Sequence, residues 1–305
     1  MKAIQKYSGI DNLPSGTASE VITEGCLVLE GGAFRGVYTN GVLDALMQHD
    51  VNFRCTIGVS AGSLNGVNYL SGQIGRSARM NLRYRHDSRY VGAKAVKNNQ
   101  GLIGFDFMFS RMPFVPRMNL KRFRNSEREF YAVVTNLLTG KPEYFEKSMG
   151  QDFFKVVSAS SSMPYISKPV LLDGVPYLDG GCSCKIPYTW ALAHDFKKIV
   201  VVRTRSRSYR KKINPDKKLQ PAGLVYRQYP NFVASLLASD ENYNQQCQEL
   251  ENLEQQGKIF VIAPSQEVIV SRLEKDMEKL GDLYYLGYYD TISQIETLKA
   301  YLQEH

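Results

Sequence analysis

The segment Cys55-Thr56-Ile57-Gly58-Val59-Ser60-Ala61-Gly62-Ser63-Leu64-Asn65-Gly66 constrains the fold more than any other part of the chain. Its first half is an apolar strand, its second half opens a helix, and Gly58-Val59-Ser60-Ala61-Gly62 is the turn between them. A Gly-x-Ser-x-Gly turn in this setting is a nucleophile elbow. The serine sits in a strained backbone conformation, and small flanking residues let strand and helix pass at close range. Gly58 and Gly62 meet that need. A helix over about 61–70 points its unpaired N–H groups at the seryl oxygen and favours negative charge there. Ser60 is therefore the candidate nucleophile. The same pattern also fits a glycine-rich turn without chemistry, so other residues have to discriminate.

A second strand-turn-helix unit precedes it. Cys26-Leu27-Val28-Leu29 is a continuous apolar run suited to a parallel strand buried on both faces. It leads into Glu30-Gly31-Gly32-Ala33-Phe34-Arg35-Gly36 and then a helix to about His49. Successive backbone N–H groups in such a turn form an anion site. A nucleotide loop needs Gly-x-Gly-x-x-Gly or a closing Lys-Ser/Thr, and Ala33 and Arg35 break both patterns. An oxyanion hole fits better, with the N–H groups of Gly31, Gly32 and Ala33 facing the oxygen that turns negative when an alcohol attacks an ester. Arg35 either braces this loop or meets an anionic head group.

Residues 1–24 are polar and read as a loosely held leader. The stretch 71–130 is irregular, basic and aromatic; its Phe105-Asp106-Phe107-Met108-Phe109, Met112, Phe114 and Met118 suit either an acyl-chain pocket or flap, or ordinary core packing. Residues 130–136 form a strand, hairpinned with 143–145. A helix over 151–162 ends in Ser160-Ser161-Ser162, which lack a glycine elbow and are poor nucleophile candidates. Two short strands surround the Asp173-Gly174 turn. Directly after them comes Asp179-Gly180-Gly181, a carboxylate just past a strand with two glycines that leave it uncrowded. Residues 199–202 are a buried strand, 231–256 an amphipathic helix, 259–263 a last strand, and 271–303 a helical tail interrupted at Gly281 and Gly287. This alternation predicts one α/β domain, a three-layer α/β/α arrangement with a mostly parallel central sheet. Its parts are a polar leader (1–25), a catalytic core (26–202) and a C-terminal extension packed on the same domain (203–305).

With 305 residues, 43% of them hydrophobic, the chain can bury a large core. No run reaches the roughly 18–20 apolar residues of a membrane span, and the start has no hydrophobic signal region, so a soluble cytoplasmic protein is expected. The net charge of +8 is clustered: residues 197–218 hold ten Lys or Arg against Asp216, and 76–97 hold seven against Asp87. Such runs either contact polyanions or form solvated loops. No nucleic-acid module accompanies them, so no nucleic-acid partner is expected, and the surface compatible with 197–218 is an anionic membrane. Five cysteines, an odd number, point to reduced thiols. Cys182-x-Cys184 lacks a second ligand pair, and neither metal nor cofactor is expected.

A seryl hydroxyl needs a base, usually a histidine held by an acid. Only four histidines exist. Of these, His194 or His305 would follow Asp179 in the order serine, acid, histidine, yet His194 closes a helix and His305 is terminal. His49 likewise reads as a helix cap. Asp179 itself then becomes the base: a carboxylate in a dry site has a raised proton affinity and can take the seryl proton directly.

Glu-Gly-Gly-Ala-Phe-Arg-Gly (30–36), Gly-Val-Ser-Ala-Gly (58–62) and Asp-Gly-Gly (179–181), in this order, resemble the patatin-like phospholipases, acyl hydrolases with a Ser-Asp dyad and no histidine. The likeness runs roughly from Cys26 to Val202, and the Arg-Ser-Tyr-Arg-Lys segment near 207–211 and the Val-Ser-Arg-Leu-Glu-Lys segment (270–275) resemble bacterial members. It implies Ser60 as nucleophile, Asp179 as base, Gly31, Gly32 and Ala33 as oxyanion hole, and Arg35 as the arginine that follows it. Gly36, Gly58, Gly62, Gly180 and Gly181 are the supporting glycines. The family usually carries a third glycine where Ala33 stands; an alanine N–H serves if its φ is negative. The implied substrate is a lipid or other acyl ester, with no metal or cofactor. An acyltransferase using the same dyad and a catalytically silent lipid-binding protein are the alternatives.

Overall fold

A computed structural model describes residues 5–99, 101–110, 112–149, 152–213 and 221–304. Its strands are β1 (Gly16–Thr17), β2 (Thr23–Leu29), β3 (Phe53–Val59), β4 (Gln73–Ile74), β5 (Glu129–Asn136), β6 (Pro142–Glu146), β7 (Val170–Leu172), β8 (Val175–Asp179), β9 (Ile199–Val202) and β10 (Phe260–Ile262). The first helices are α1 (Val37–Gln48), α2 (Ala61–Leu70), α3 (Arg76–Tyr84), α4 (Ala93–Asn99), α5 (Phe105–Phe109) and α6 (Leu120–Phe123). After them come α7 (Phe153–Ser160), α8 (Tyr188–Ala193), α9 (Ala222–Val225), α10 (Pro230–Gln255), α11 (Met277–Ile292) and α12 (Ile295–Gln303).

The main sheet runs β10-β9-β2-β3-β5-β8-β7, with β6 paired to β5. From β10 to β5 all neighbours are parallel, and β8, β7 and β6 are antiparallel additions. Alternation along the central strands explains their unbroken apolar sequence. Leu27 and Leu29 enter one buried cluster with α1, α2 and α11, whereas Cys26 and Val28 enter a second with Tyr243, Cys247 and Leu250 of α10. Helices cover both faces, and this is the three-layer α/β/α architecture expected.

Register places the ends of two strands side by side. Val59, the last residue of β3, is opposite Val133 of β5, and Asp179, the last residue of β8, is opposite the next residue, Val134. Because β8 is antiparallel to β5 and β3 is parallel to it, both strands deliver their final residues to one point at the sheet's carboxyl edge, where open α/β sheets carry their ligands.

Two expectations fail in instructive ways. The leader is not loosely held: Tyr7, Ile10, Leu13 and Ala18 are buried in the main core, β1 pairs with β4, and Arg79 donates to the carbonyls of Leu13 and Pro14 at 2.6 and 2.7 Å. Its few apolar residues are spaced to reach one groove, a pattern that polar composition hid. Gly281 and Gly287 do not interrupt the tail, because α11 passes through both and the break falls at Ser293–Gln294. They are there for contact. A Cβ at Gly287 would lie 2.1 Å from the Tyr38 carbonyl oxygen, and one at Gly41 of α1 would lie 2.0 Å from that of Tyr284, so small residues on both helices let the backbones approach. Tyr38 donates to Asp290 at 3.0 Å and Tyr284 to Asp44 at 2.8 Å across this seam. Among the described residues, no helix is long and apolar enough to cross a membrane.

Candidate active site

Ser60 has φ 56° and ψ −123°, a left-handed conformation costly for any residue with a Cβ. It survives because the surroundings hold it. Its N–H donates to the Ser160 hydroxyl at 3.0 Å, and Ser160 in turn donates to the Val133 carbonyl at 2.6 Å. The Ser60 carbonyl accepts from the hydroxyls of Ser63 at 2.7 Å and Ser161 at 3.1 Å. Gly58 and Gly62 allow the close pass: a Cβ on Gly62 would lie 2.4 Å from the Leu29 carbonyl oxygen, and one on Gly58 2.6 Å from the Gly62 backbone. Gly36 packs against Ala61, and Gly180 against the Val133 carbonyl.

Across the β5 register, the Ser60 hydroxyl donates to Asp179 Oδ2 at 2.7 Å, although 119 positions separate the two residues. The other carboxylate oxygen, Oδ1, accepts from the Gly181 N–H at 2.8 Å, and the Thr135 hydroxyl donates to the Asp179 carbonyl at 2.9 Å. Asp179 is buried, and burial raises its proton affinity above the usual carboxylate range. The hydrogen bonds from Ser60 and Gly181 and the charges of Arg272 and Lys185 act in the opposite sense.

None of the described imidazoles takes part. His194 caps α8, stacked on Trp190 with Nδ1 2.8 Å from the Trp190 carbonyl; His86 Nε2 lies 2.7 Å from the Lys275 carbonyl; His49 caps α1. His305 lies outside the described residues.

The loop 30–36 runs beside the elbow. A Cβ at Gly31 would lie 3.1 Å from that of Ser60, and one at Gly32 2.7 Å from the Thr204 hydroxyl oxygen. Gly31 N–H makes a long 3.4 Å bond to the Lys185 carbonyl, whereas the N–H groups of Gly32 and Ala33 donate to no described residue. The negative φ asked of Ala33 is not found; its φ is +50°. The donor is kept all the same, since rotation about φ leaves the N–H where the preceding peptide plane puts it. The positive φ costs stability, not the donor. Arg35 does not brace the loop by hydrogen bonds either: it is buried, its Nε has no partner, and burial lowers its pKa to about 10, helped by the nearby Arg205 and Arg272 charges and opposed by Glu30.

Two cavities meet at Ser60. A cleft of about 730 Å³ is lined by Ser60, Asp179, Gly31, Gly32, Arg35 and polar residues of the C-terminal half. A slot of about 50 Å³ on the other side is apolar, formed by Phe34, Leu64, Met80, Ile103 and Met108. Of the methionine- and phenylalanine-rich stretch, Met108 lines this slot, and Phe105, Met108 and Met112 are buried in the core. The basic run is largely occupied internally. Arg203 is buried against Cys247, and Arg207, Arg210 and Lys211 pair with Glu254, Glu251 and Asp240. Lys217 and Lys218 lie outside the described residues. All five thiols are buried, and burial pushes Cys184 up to about 11.

Sequence reasoning gave no role to Ser160, Ser161, Thr135, Lys185 or Arg272, although Arg272 lies in the 270–275 segment that shares in the resemblance. The serine run was set aside for lacking an elbow, when its task is to hold one.

Residues 27–192 match the model of a family described as patatin-like phospholipase, and residues 229–303 match a domain of unknown function (DUF6363). An uncharacterized protein of Escherichia coli, YjjU, is 33% identical over 184 residues, 58% of this chain and 51% of that protein. A probable lipid hydrolase, 463L, of Invertebrate iridescent virus 6 is 25% identical over 70% of this chain and 82% of its own length. Lysophospholipase nte1 of Aspergillus terreus is 26% identical over 51% of this chain and 10% of that protein. The chain thus spans about half of the Escherichia coli relative and a tenth of the fungal one. Among solved structures, VipD from Legionella pneumophila aligns over 93% of this chain and 68% of its own, with a TM-score of 0.48 and 14% identity.

Proposed function

Because this chain belongs to the patatin-like phospholipase family, we propose that it hydrolyses acyl esters of lipids, with Ser60 as nucleophile and Asp179 as its base. The observation that carries the reading is the 2.7 Å hydrogen bond from the Ser60 hydroxyl to a buried carboxylate, with no described imidazole beside it. Asp179 accepts the seryl proton as Ser60 Oγ attacks the ester carbonyl. The N–H groups of Gly32 and Ala33, with that of Gly31 at the edge, receive the developing oxyanion; each such donor is worth roughly 3–4 kcal/mol. Protonated Asp179 then returns its proton to the leaving alcohol, and water, deprotonated by the same carboxylate, releases the acid from the acyl-enzyme. The raised proton affinity of Asp179 suits a group that has to hold a proton between these steps. The apolar slot receives the start of the acyl chain, and the wider cleft the alcohol portion.

Release of p-nitrophenol from short acyl esters tests this. Ser60→Ala and Asp179→Asn are each expected to lower kcat by about 10⁴ or more while the protein unfolds at an unchanged denaturant midpoint, within about 1 kcal/mol. Full activity in either variant would reject the dyad.

A further inference from the structure

The cleft holds more positive charge than the chemistry at Ser60 uses. Six Lys or Arg side chains line it against four Asp or Glu. One pair, Lys211 with Asp240, is closed at 2.5 Å. Glu30 is engaged as well, accepting the Thr204 N–H at 2.5 Å. Five cations of the lining remain, Arg35, Lys185, Arg205, Lys212 and Arg272, of which Lys185 and Arg205 also donate to the Ser239 and Val268 carbonyls at 2.8 and 2.7 Å.

Arg35 is the most informative of them. It is nine-tenths buried, none of its guanidinium nitrogens bonds to a described residue, and the like charges of Arg205 and Arg272 act on it against the single opposite charge of Glu30. Burial disfavours a cation that no acid hydrogen-bonds, and the two like charges add to the cost. Lys185 reports the same field: burial, with the Lys211 charge, draws its pKa down to about 7, so an arriving anion would restore its proton.

Arg272 comes from the C-terminal region matched to a domain of unknown function. Its backbone is fixed to the active-site loop, since its carbonyl accepts the Phe34 N–H at 3.2 Å. The following residues are tied to the end of α3. Arg85 donates to the Leu273 carbonyl at 2.6 Å and lies 4.5 Å over the Phe34 ring, and His86 meets the Lys275 carbonyl at 2.7 Å. The backbone is thus held while the Arg272 guanidinium stays exposed, bound to no described residue, and at the cleft. A strapped backbone that presents a free guanidinium beside an orphaned buried one is an anion-binding arrangement, and arginines are the side chains that grip phosphate by paired N–H donors.

We propose that Arg272 joins Arg35, Lys185 and Arg205 in a phosphate-binding subsite, so that the cleft selects acyl esters carrying a doubly charged phosphate monoester over neutral ones. The C-terminal region then acts as the head-group reader of the site. The inference rests on the reading of Ser60 and Asp179 as an ester-hydrolysing pair, and its test is separable from theirs. Six lining cations against four lining acids give the cleft the sign of charge that a phosphate needs.

The experiment compares kcat/KM of the full chain for a water-soluble short-chain acylglycerol 3-phosphate with that for the monoacylglycerol of the same chain. The wild type is expected to prefer the phosphate ester at least tenfold, and Arg272→Gln, at an exposed position, to reduce that ratio by tenfold or more. A wild-type ratio near one, or a ratio unmoved by Arg272→Gln, overturns the proposal. Inorganic phosphate is expected to compete with the phosphate ester. Inhibition by phosphate without any preference between the two esters would mean a site for free phosphate and would reject head-group selection. If neither ester is cleaved, the hydrolase reading falls, and calorimetric titration of inorganic phosphate decides the subsite: binding weakened tenfold or more by Arg272→Gln supports it, and no binding to the wild type rejects it.

Discussion

Ser160→Ala isolates what holds the elbow. In the native protein the Ser160 hydroxyl accepts from the Ser60 N–H and donates to the Val133 carbonyl, and all three residues are buried. Alanine fills nearly the same volume, so the change removes polar partners without opening a cavity. The orphaned Ser60 N–H then costs about 1–3 kcal/mol, and the Val133 carbonyl about 1 more, for a total near 2–4 kcal/mol. That sum is comparable to the roughly 1–3 kcal/mol of strain stored at a serine with φ 56°. Relaxation of the elbow therefore becomes competitive with staying strained, and it moves Oγ away from Asp179. The expected result is a lower midpoint in urea at unchanged slope, with kcat reduced on the order of 100-fold and KM little changed, the usual effect of misplacing a reacting atom by about 1 Å. Ser158→Ala is the control: its hydroxyl donates only to the Phe154 carbonyl within α7, and a loss under about 1 kcal/mol with unchanged kcat is expected. A destabilisation by Ser160→Ala below about 0.5 kcal/mol with kcat within twofold would refute the reasoning.

Ala33→Gly should stabilise the protein by about 0.5–1 kcal/mol in urea titrations, because φ +50° strains alanine and not glycine, with hydrolysis kept within threefold since the N–H is unchanged; destabilisation or a tenfold loss of activity would contradict this. Asp44, fully buried beneath α11, is raised by burial to about 7. Its folded form keeps a proton that the unfolded form releases near pH 4, so stability should fall as pH rises from about 4 to 7, by roughly 4 kcal/mol from this group. Asp44→Asn, which can accept from Gly75 N–H and donate to Tyr284, should flatten that part of the stability profile, and an unaltered slope would exclude Asp44 as its source.

The sequence was most legible where local chemistry is strictest. A short unbroken apolar run between turn residues suits a strand covered on both faces, and a Gly-x-Ser-x-Gly between strand and helix leaves few backbone solutions, so β2, β3, the elbow and the Asp173-Gly174 turn could be read from residue types alone. What could not be read depends on distant partners. Polar composition concealed the anchoring of Tyr7, Ile10 and Leu13, because burial needs only a few well-spaced apolar side chains. Gly281 and Gly287 look like helix breakers until the facing backbone of α1 and the Tyr7 ring are known. The basic run reads as an exposed patch, yet the acids of α10 that pair with it lie 29–47 positions away. Arg272 lies in the 270–275 segment that shares in the family resemblance, but its place at the cleft follows from hydrogen bonds between the 272–275 backbone and residues 34, 85 and 86.

The central claim, that a carboxylate alone activates Ser60, is tested most directly by the rate of fluorophosphonate labelling, with the modified residue located by peptide mass spectrometry. The account predicts a single adduct on Ser60 in the wild type and a rate at least 10³-fold slower in Asp179→Asn. Labelling of Ser60 at an undiminished rate in that variant would contradict it.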